Sequence, residues 1–138
     1  MTALAPLSPF HVYTILHVDD EIEYRRLIER KFRKLPYIIV SAENSHEALQ
    51  LAQLFFFDLV ILDISLPDIN GFSLLKQLRK IDPQLPVVLY SGLIEDFVHE
   101  RCQILGCELY IEKTTQLEDL ATGVNTLLQK KELAQYGT

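Results

Sequence analysis

Asp19, Asp20, Asp63, Ser91 and Lys113 carry the chemistry legible in this chain, because each stands where an apolar run stops. Asp19 and Asp20 follow Thr14 to Val18, Asp63 follows Leu59 to Leu62, Ser91 follows Val87 to Tyr90, and Lys113 comes just past Leu109 to Ile111. If these runs are parallel strands of one open sheet, their ends share the edge where such sheets bind ligands. Three carboxylates brought together repel one another unless a cation intervenes. Mg²⁺, a hard ion that takes oxygen ligands and keeps waters, suits such a cluster. A carboxylate is also a nucleophile that can attack phosphorus to give an acyl phosphate, and Asp63, the lone acid at a central strand end, is the candidate. Lys113 would then balance charge on the phosphoryl oxygens while the Ser91 hydroxyl donates to one of them. Taken singly, each residue has a plainer reading: aspartates and the Ser91-Gly92 pair make turns, and Lys113 is solvated. Their conjunction at four strand ends favours a metal-dependent phosphoryl site.

The elements that must position these groups alternate from Val12 onward. Val12 to Val18 reads as a strand buried on both faces. Tyr24, Leu27, Ile28 and Leu35 then fall at helical spacing until Pro36. Tyr37 to Ser41 is a second strand. Asn44, with Glu47 three residues on, opens a second helix whose buried face is Ala48, Leu49, Ala52 and Phe55 or Phe56. The run Phe55 to Phe57 is expected to be packing, since aromatic rings bury large areas. Asp58 to Leu62 is the third strand, and Ser65 to Gly71 is dense in turn formers. Phe72, Leu75, Leu78 and Ile81 line a third helix, and Val87 to Tyr90 is the fourth strand. Ile94, Phe97, Val98, Cys102 and Leu105 trace a fourth helix, with Gly106 suited to the left-handed position past its end. Cys107 to Ile111 is the fifth strand. Thr115 with Glu118 reads as a capping box for a last helix striped by Leu117, Leu120, Val124, Leu127 and Leu128. Alternation of this kind requires parallel strands with right-handed crossovers. The expected architecture is an α/β, doubly wound (βα)5 sandwich.

Composition sets the outer limits. At 138 residues, 49% hydrophobic and 23% charged, the chain fits one folded domain. A net charge of -6 disfavours direct contact with nucleic acid or an anionic membrane, and points to a protein partner. The uncharged apolar run Ala48 to Phe57 is about half a membrane span, and Met1 to His11 has neither a basic leader nor a long apolar core. The expectation is a soluble, cytoplasmic protein. Cys102 and Cys107 lack metal or redox spacing and read as buried thiols. His17, inside the first strand, reads as a core imidazole rather than a metal ligand.

At this point the chain resembles the receiver domain of two-component response regulators, from about Val12 to Leu133. The resemblance is carried by Val18-Asp19-Asp20-Glu21, by Asp63-Ile64-Ser65-Leu66-Pro67-Asp68-Ile69-Asn70-Gly71, by Ser91-Gly92, and by Tyr110 with Lys113. It implies a flavodoxin-like sheet of order 2-1-3-4-5, with residues 1–11 an arm and 12–135 the receiver. It also implies that Asp63 takes a phosphoryl group from a histidine kinase or phosphotransfer protein in a phosphorelay. Asp20, Asp63 and the Ser65 backbone carbonyl would hold Mg²⁺, with Asp19 acting through water. Ser91 would be the switch hydroxyl, and Tyr110 the aromatic that reports the switch on the face formed by the fourth helix, fifth strand and fifth helix. That face would meet a downstream protein partner and is able to pair two chains as a homodimer. The alternative is a pseudo-receiver acting as a phosphorylation-independent module. A Mg²⁺-dependent phosphatase is disfavoured, because Ser65 stands where its general acid would be.

Two positions tune the pattern. Most receivers have proline after the lysine, joined by a cis peptide, where this chain has Thr114. A cis bond before a non-proline residue costs about 2.5 to 4 kcal/mol, so the expectation is a trans bond with a rearranged loop, or local strain. Ser65 and Leu93, two residues after Asp63 and Ser91, carry neither charge nor amide to orient water. A long-lived phosphoryl state is therefore expected.

Overall fold

The structure, a computed structural model, describes residues 11–92 and 96–136. Strands β1 (Tyr13–Val18), β2 (Tyr37–Ala42), β3 (Leu59–Leu62), β4 (Val87–Ser91) and β5 (Leu109–Glu112) alternate with helices α1 (Ile22–Arg33), α2 (Ser45–Leu54), α3 (Gly71–Ile81), α4 (Asp96–Leu105) and α5 (Leu117–Tyr136). The five strands form one parallel sheet in the order β2-β1-β3-β4-β5, as the resemblance implied.

Side chains alternate across a strand, so each strand serves two layers. In β3, Val60 and Leu62 face the core under α2, α3 and α4, whereas Leu59 and Ile61 face the core under α1 and α5. The same division runs through β1 (Leu16 and Val18 against Tyr13 and Ile15) and β4 (Val87 and Leu89 against Val88 and Tyr90). Each aliphatic side chain fully removed from water contributes roughly 1.5–3 kcal/mol, so the sheet is stabilised from both faces. That is why these strands read as unbroken apolar runs.

Several sequence expectations shift. Val12 is exposed and precedes β1. Phe55 and Phe56 are 59% and 63% exposed, and only Phe57 packs in the core. The reason is that α2 ends at Leu54 and Phe55 is its extended C-cap, so the helical face that would have buried these rings has already stopped. Lys131 instead holds its ammonium 4.9 Å from the Phe56 ring. In α3 the buried stripe is Leu74, Leu75 and Leu78, leaving Ile81 exposed. In α4, Val98 and Cys102 are buried and Phe97 is exposed. Helix α5 begins at Leu117, so Thr115 lies before its cap, and the Glu118 carboxylate pairs with Lys31 instead of closing a box.

Other local expectations hold. Asn44 caps α2 by accepting from the Glu47 amide at 2.8 Å. Gly106 takes φ +76 while the Gly106 and Cys107 amides both donate to the Cys102 carbonyl, closing α4. The N-terminal arm, except His11, and the positions of Leu93 and Ile94 lie outside the described residues.

Candidate functional site

The ladders of the sheet continue one residue past the strands, and this draws the polar groups together. The Asp63 amide donates to the Val18 carbonyl at 3.0 Å, and the Lys113 amide donates to the Ser91 carbonyl at 2.7 Å. Asp19, Asp63, Ser91 and Lys113 therefore meet at the C-terminal edge of β1, β3, β4 and β5. Asp63, Ser91 and Lys113 border a cleft of about 400 Å³ lined also by Glu21, Ile64, Ser65, Gly92, Phe97 and Val98. Asp63, Ser91 and the Lys113 side chain are each about 4% exposed or less, and Asp19 is fully buried.

The two oxygens of Asp63 have different partners. Oδ1 accepts from the Ser91 hydroxyl at 2.9 Å and from the Ser65 amide at 3.1 Å. Oδ2 accepts from the Lys113 ammonium at 3.0 Å. That ammonium also lies 2.8 Å from Asp19 Oδ2 and 3.7 Å from Glu21. Burial opposes its charge, but Asp19 and Asp63 outweigh it and hold the lysine above its ordinary value. Burial pushes the Asp19 carboxyl up against the pull of Lys113.

Carboxylate oxygens of Asp19, Asp20, Glu21 and Asp63 come within 4.8 Å of one another. One ammonium cannot neutralise four acids, and Asp19 Oδ2 is buried without an aligned hydrogen bond. This all-oxygen set fits a hard divalent cation. Asp20 and Glu21 are exposed and open to water, while Asp19 is fixed by the Glu21 amide at 2.9 Å. His17 is buried with Nδ1 unpartnered, and burial followed by Lys113 and Arg25 lowers its pKa to about 3. It is a neutral imidazole, but not a fully satisfied one.

The β3–α3 loop is held from both ends. Gly71 donates to the Ile64 carbonyl at 2.7 Å, and a Cβ there would lie 2.6 Å from the Asp63 carbonyl oxygen. Asp68 accepts from the Ser45, His46 and Ile69 amides at 3.0–3.1 Å, tying the loop to the start of α2. Slight burial would raise the Asp68 carboxyl, but the Ser45 hydroxyl and these amides hold it well below the usual carboxylate range. The peptide after Lys113 is trans, and no residue other than glycine has a positive φ among those described. The loop turns through a Thr115 amide to Glu112 carbonyl bond of 2.9 Å. Of the two outcomes expected at Thr114, the trans one is found, and Lys113 still reaches Asp63. Tyr110 is 37% exposed, with its ring edge-on to His99 at 4.3 Å.

Sequence reasoning gave no role to Glu21, Tyr24 or Asp68. Glu21 adjoins the aspartate pair and was findable by that adjacency. Tyr24 read as a helix core residue, but its ring lies under the Lys113 ammonium, 4.0 Å from centroid to Nζ. Nothing in the local sequence signals that contact.

Comparison with known proteins agrees with this geometry. The family model described as the response regulator receiver domain matches residues 15–125. SilR of Salmonella typhimurium, described as a probable transcriptional regulatory protein, is 33% identical over 118 residues, which is 84% of this chain and 51% of that protein. The chain spans about half the length of the curated relatives it matches. Among solved structures, a CheY-like receiver domain protein from Methanospirillum hungatei JF-1 superposes with a TM-score of 0.84 at 25% identity, covering 88% of this chain and 98% of that one. The response regulator TrrA of Thermotoga maritima, solved in complex with Mg²⁺-BeF, gives a TM-score of 0.75 at 30% identity, covering 83% and 98%.

Proposed function

The chain belongs to the response regulator receiver family of two-component signalling, and from that membership we propose that it is a phosphorylation switch with Asp63 as acceptor. The observation that carries this reading is the buried Asp63 carboxylate, bonded by Ser91 and Lys113 on separate oxygens at the floor of an open cleft. A carboxylate oxygen attacks the phosphorus of a phosphohistidine on a histidine kinase or phosphotransfer protein. The P–N bond breaks, the imidazole leaves with its electron pair and takes up a proton, and Asp63 becomes an acyl phosphate. Lys113 balances phosphoryl charge, and the Ser91 hydroxyl donates to a phosphoryl oxygen.

Asp20, Asp63 and the Ser65 carbonyl would hold Mg²⁺, with Asp19 acting through water, and the bound ion would neutralise charge on the transferring group. After transfer, Ser91 shifts toward the phosphoryl group and Tyr110 carries that shift to the face of α4, β5 and α5. That face then meets a downstream protein or a second copy of the chain. The net charge of -6 supports a protein partner over direct contact with nucleic acid. Among the described residues no helix is long and apolar enough to cross a membrane. Absence of charge or amide at Ser65 supports a slowly hydrolysed phosphoryl group.

The test is intact mass after incubation with Mg²⁺ and acetyl phosphate, for wild type and Asp63→Asn. One phosphoryl increment on wild type alone supports the switch. No increment on either protein identifies a pseudo-receiver, and continuous phosphate release over many turnovers identifies an enzyme.

A further inference from the structure

Lys113 enters the site from a loop whose next residue, Thr114, has no ring to restrict the backbone. The bonds from Lys113 N to the Ser91 carbonyl and from Thr115 N to the Glu112 carbonyl fix the loop as far as Cα. Beyond Cα the side chain is a flexible four-carbon stem ending in a point charge. Three carboxylates, of Asp19, Asp63 and Glu21, pull that charge from 2.8, 3.0 and 3.7 Å. Their attraction weakens once the same oxygens serve a cation or a phosphoryl group, so they cannot alone keep the ammonium in place through a reaction.

The ring of Tyr24 does not have that weakness. Its centroid lies 4.0 Å from Lys113 Nζ, well inside the ~6 Å over which a cation is drawn to an aromatic face. The ring is braced in turn by Tyr90, edge-on at 81° with centroids 6.0 Å apart. Tyr90 is fully buried and immediately precedes Ser91 in β4. The Lys113 side chain is only 4% exposed, so water does little to screen the attraction. We propose that Tyr24 is a positioning residue, whose ring holds the Lys113 ammonium at Asp63 Oδ2 while the neighbouring carboxylates are occupied. This rests on the reading of Asp63 as phosphoacceptor for its functional consequence, but the pairing itself can be read separately. The plainer role for Tyr24 is filler between α1 and the sheet, and an aliphatic side chain would serve that role as well.

Two readouts separate the roles in wild type, Tyr24→Phe, Tyr24→Leu and Tyr24→Met. In protein labelled with ¹³C-lysine, the Lys113 Cε protons, assigned against Lys113→Arg, are expected to be ring-shifted in wild type and Tyr24→Phe and to lose the shift in the aliphatic variants. The initial rate of labelling by acetyl phosphate at saturating Mg²⁺ is expected to fall about tenfold in Tyr24→Leu and to recover to within about twofold in Tyr24→Phe. Tyr24→Met covers the case in which Tyr24→Leu does not fold. Unshifted Lys113 protons in wild type overturn the inference, as does an aliphatic variant that folds and labels at the wild-type rate. A ring-shifted Lys113 in a wild type that takes no label overturns the phosphoacceptor reading and supports the pairing.

Discussion

Lys113 Nζ stands 3.0 Å from Asp63 Oδ2, on the carboxylate oxygen that Ser91 leaves free. The same ammonium is the nearest cation to the buried Asp19. Replacing Lys113 by Met therefore removes two functions at once. Labelling by acetyl phosphate is expected to slow on the order of 10²-fold, the usual loss for one preorganised donor. Stability without Mg²⁺ is expected to fall by on the order of 3 kcal/mol, because two buried carboxylates lose their counter-charge. Urea unfolding with and without Mg²⁺ checks this, with the ion recovering more stability in the variant than in wild type.

Gly71→Ala tests the seating of the β3–α3 loop. The added methyl would lie 2.6 Å from the Asp63 carbonyl oxygen and 2.7 Å from Ile64 Cα, both backbone atoms that cannot swing aside. The expected cost is about 1–3 kcal/mol, as for overpacking elsewhere. A parallel drop in Mg²⁺ affinity, measured by calorimetry, is expected because Asp63 must move. Unchanged affinity in a destabilised variant would separate the loop from the acidic cluster.

Asp68→Ala removes the acceptor shared by the Ser45, His46 and Ile69 amides. A lost helix cap costs about 0.5–2 kcal/mol, and the exposure of Asp68 together with the surviving Asn44 cap places the expected loss near ~0.5 kcal/mol. The pH dependence has a definite sign. The folded-state pKa of Asp68 is depressed, so its contribution is present above the unfolded carboxylate range and disappears as pH falls through the lowered folded value. Thermal unfolding of wild type and variant should therefore differ at pH 6 and draw together in strong acid.

Tyr37 gives the opposite sign at alkaline pH. Its hydroxyl donates to Asn125 at 2.7 Å between β2 and α5, and burial raises its pKa to about 12. A raised folded pKa means stability that is full below the unfolded value near 10 and is lost as pH rises to about 12. Tyr37→Phe should cost about 1–3 kcal/mol at pH 7, since Asn125 is left buried with one partner fewer. Its stability should then fall less steeply than wild type between pH 10 and 12, as chemical denaturation would measure.

Much of this molecule is legible in its amino-acid sequence. Long apolar runs ending in Asp19, Asp63 and Ser91 marked strands buried on both faces, and Asn44 and Gly106 marked helix ends because capping chemistry is local. What could not be read were choices made by distant neighbours. Phe55 and Phe56 looked like core by composition, but where α2 stops decides their exposure. Ile81 shares the helical face of Leu74 and Leu78, but as the last residue of α3 it stands exposed, and periodicity alone does not show where a stripe runs out of cover.

The site divides along the same line. Sequence alone determined which chemistry was available: three aspartates, a hydroxyl and an ammonium at strand ends, in an order that matches the receiver motif. It determined this because strand ends are fixed by local pattern and parallel pairing brings them to one edge. The tertiary structure decided the assignments within the site. Oδ1 of Asp63 goes to Ser91, Oδ2 goes to Lys113, and the lysine rests on Tyr24, from the far end of the chain. Such contacts depend on how α1 packs with α5 on one face of the sheet and on which rotamers burial leaves open, and a one-dimensional pattern carries neither.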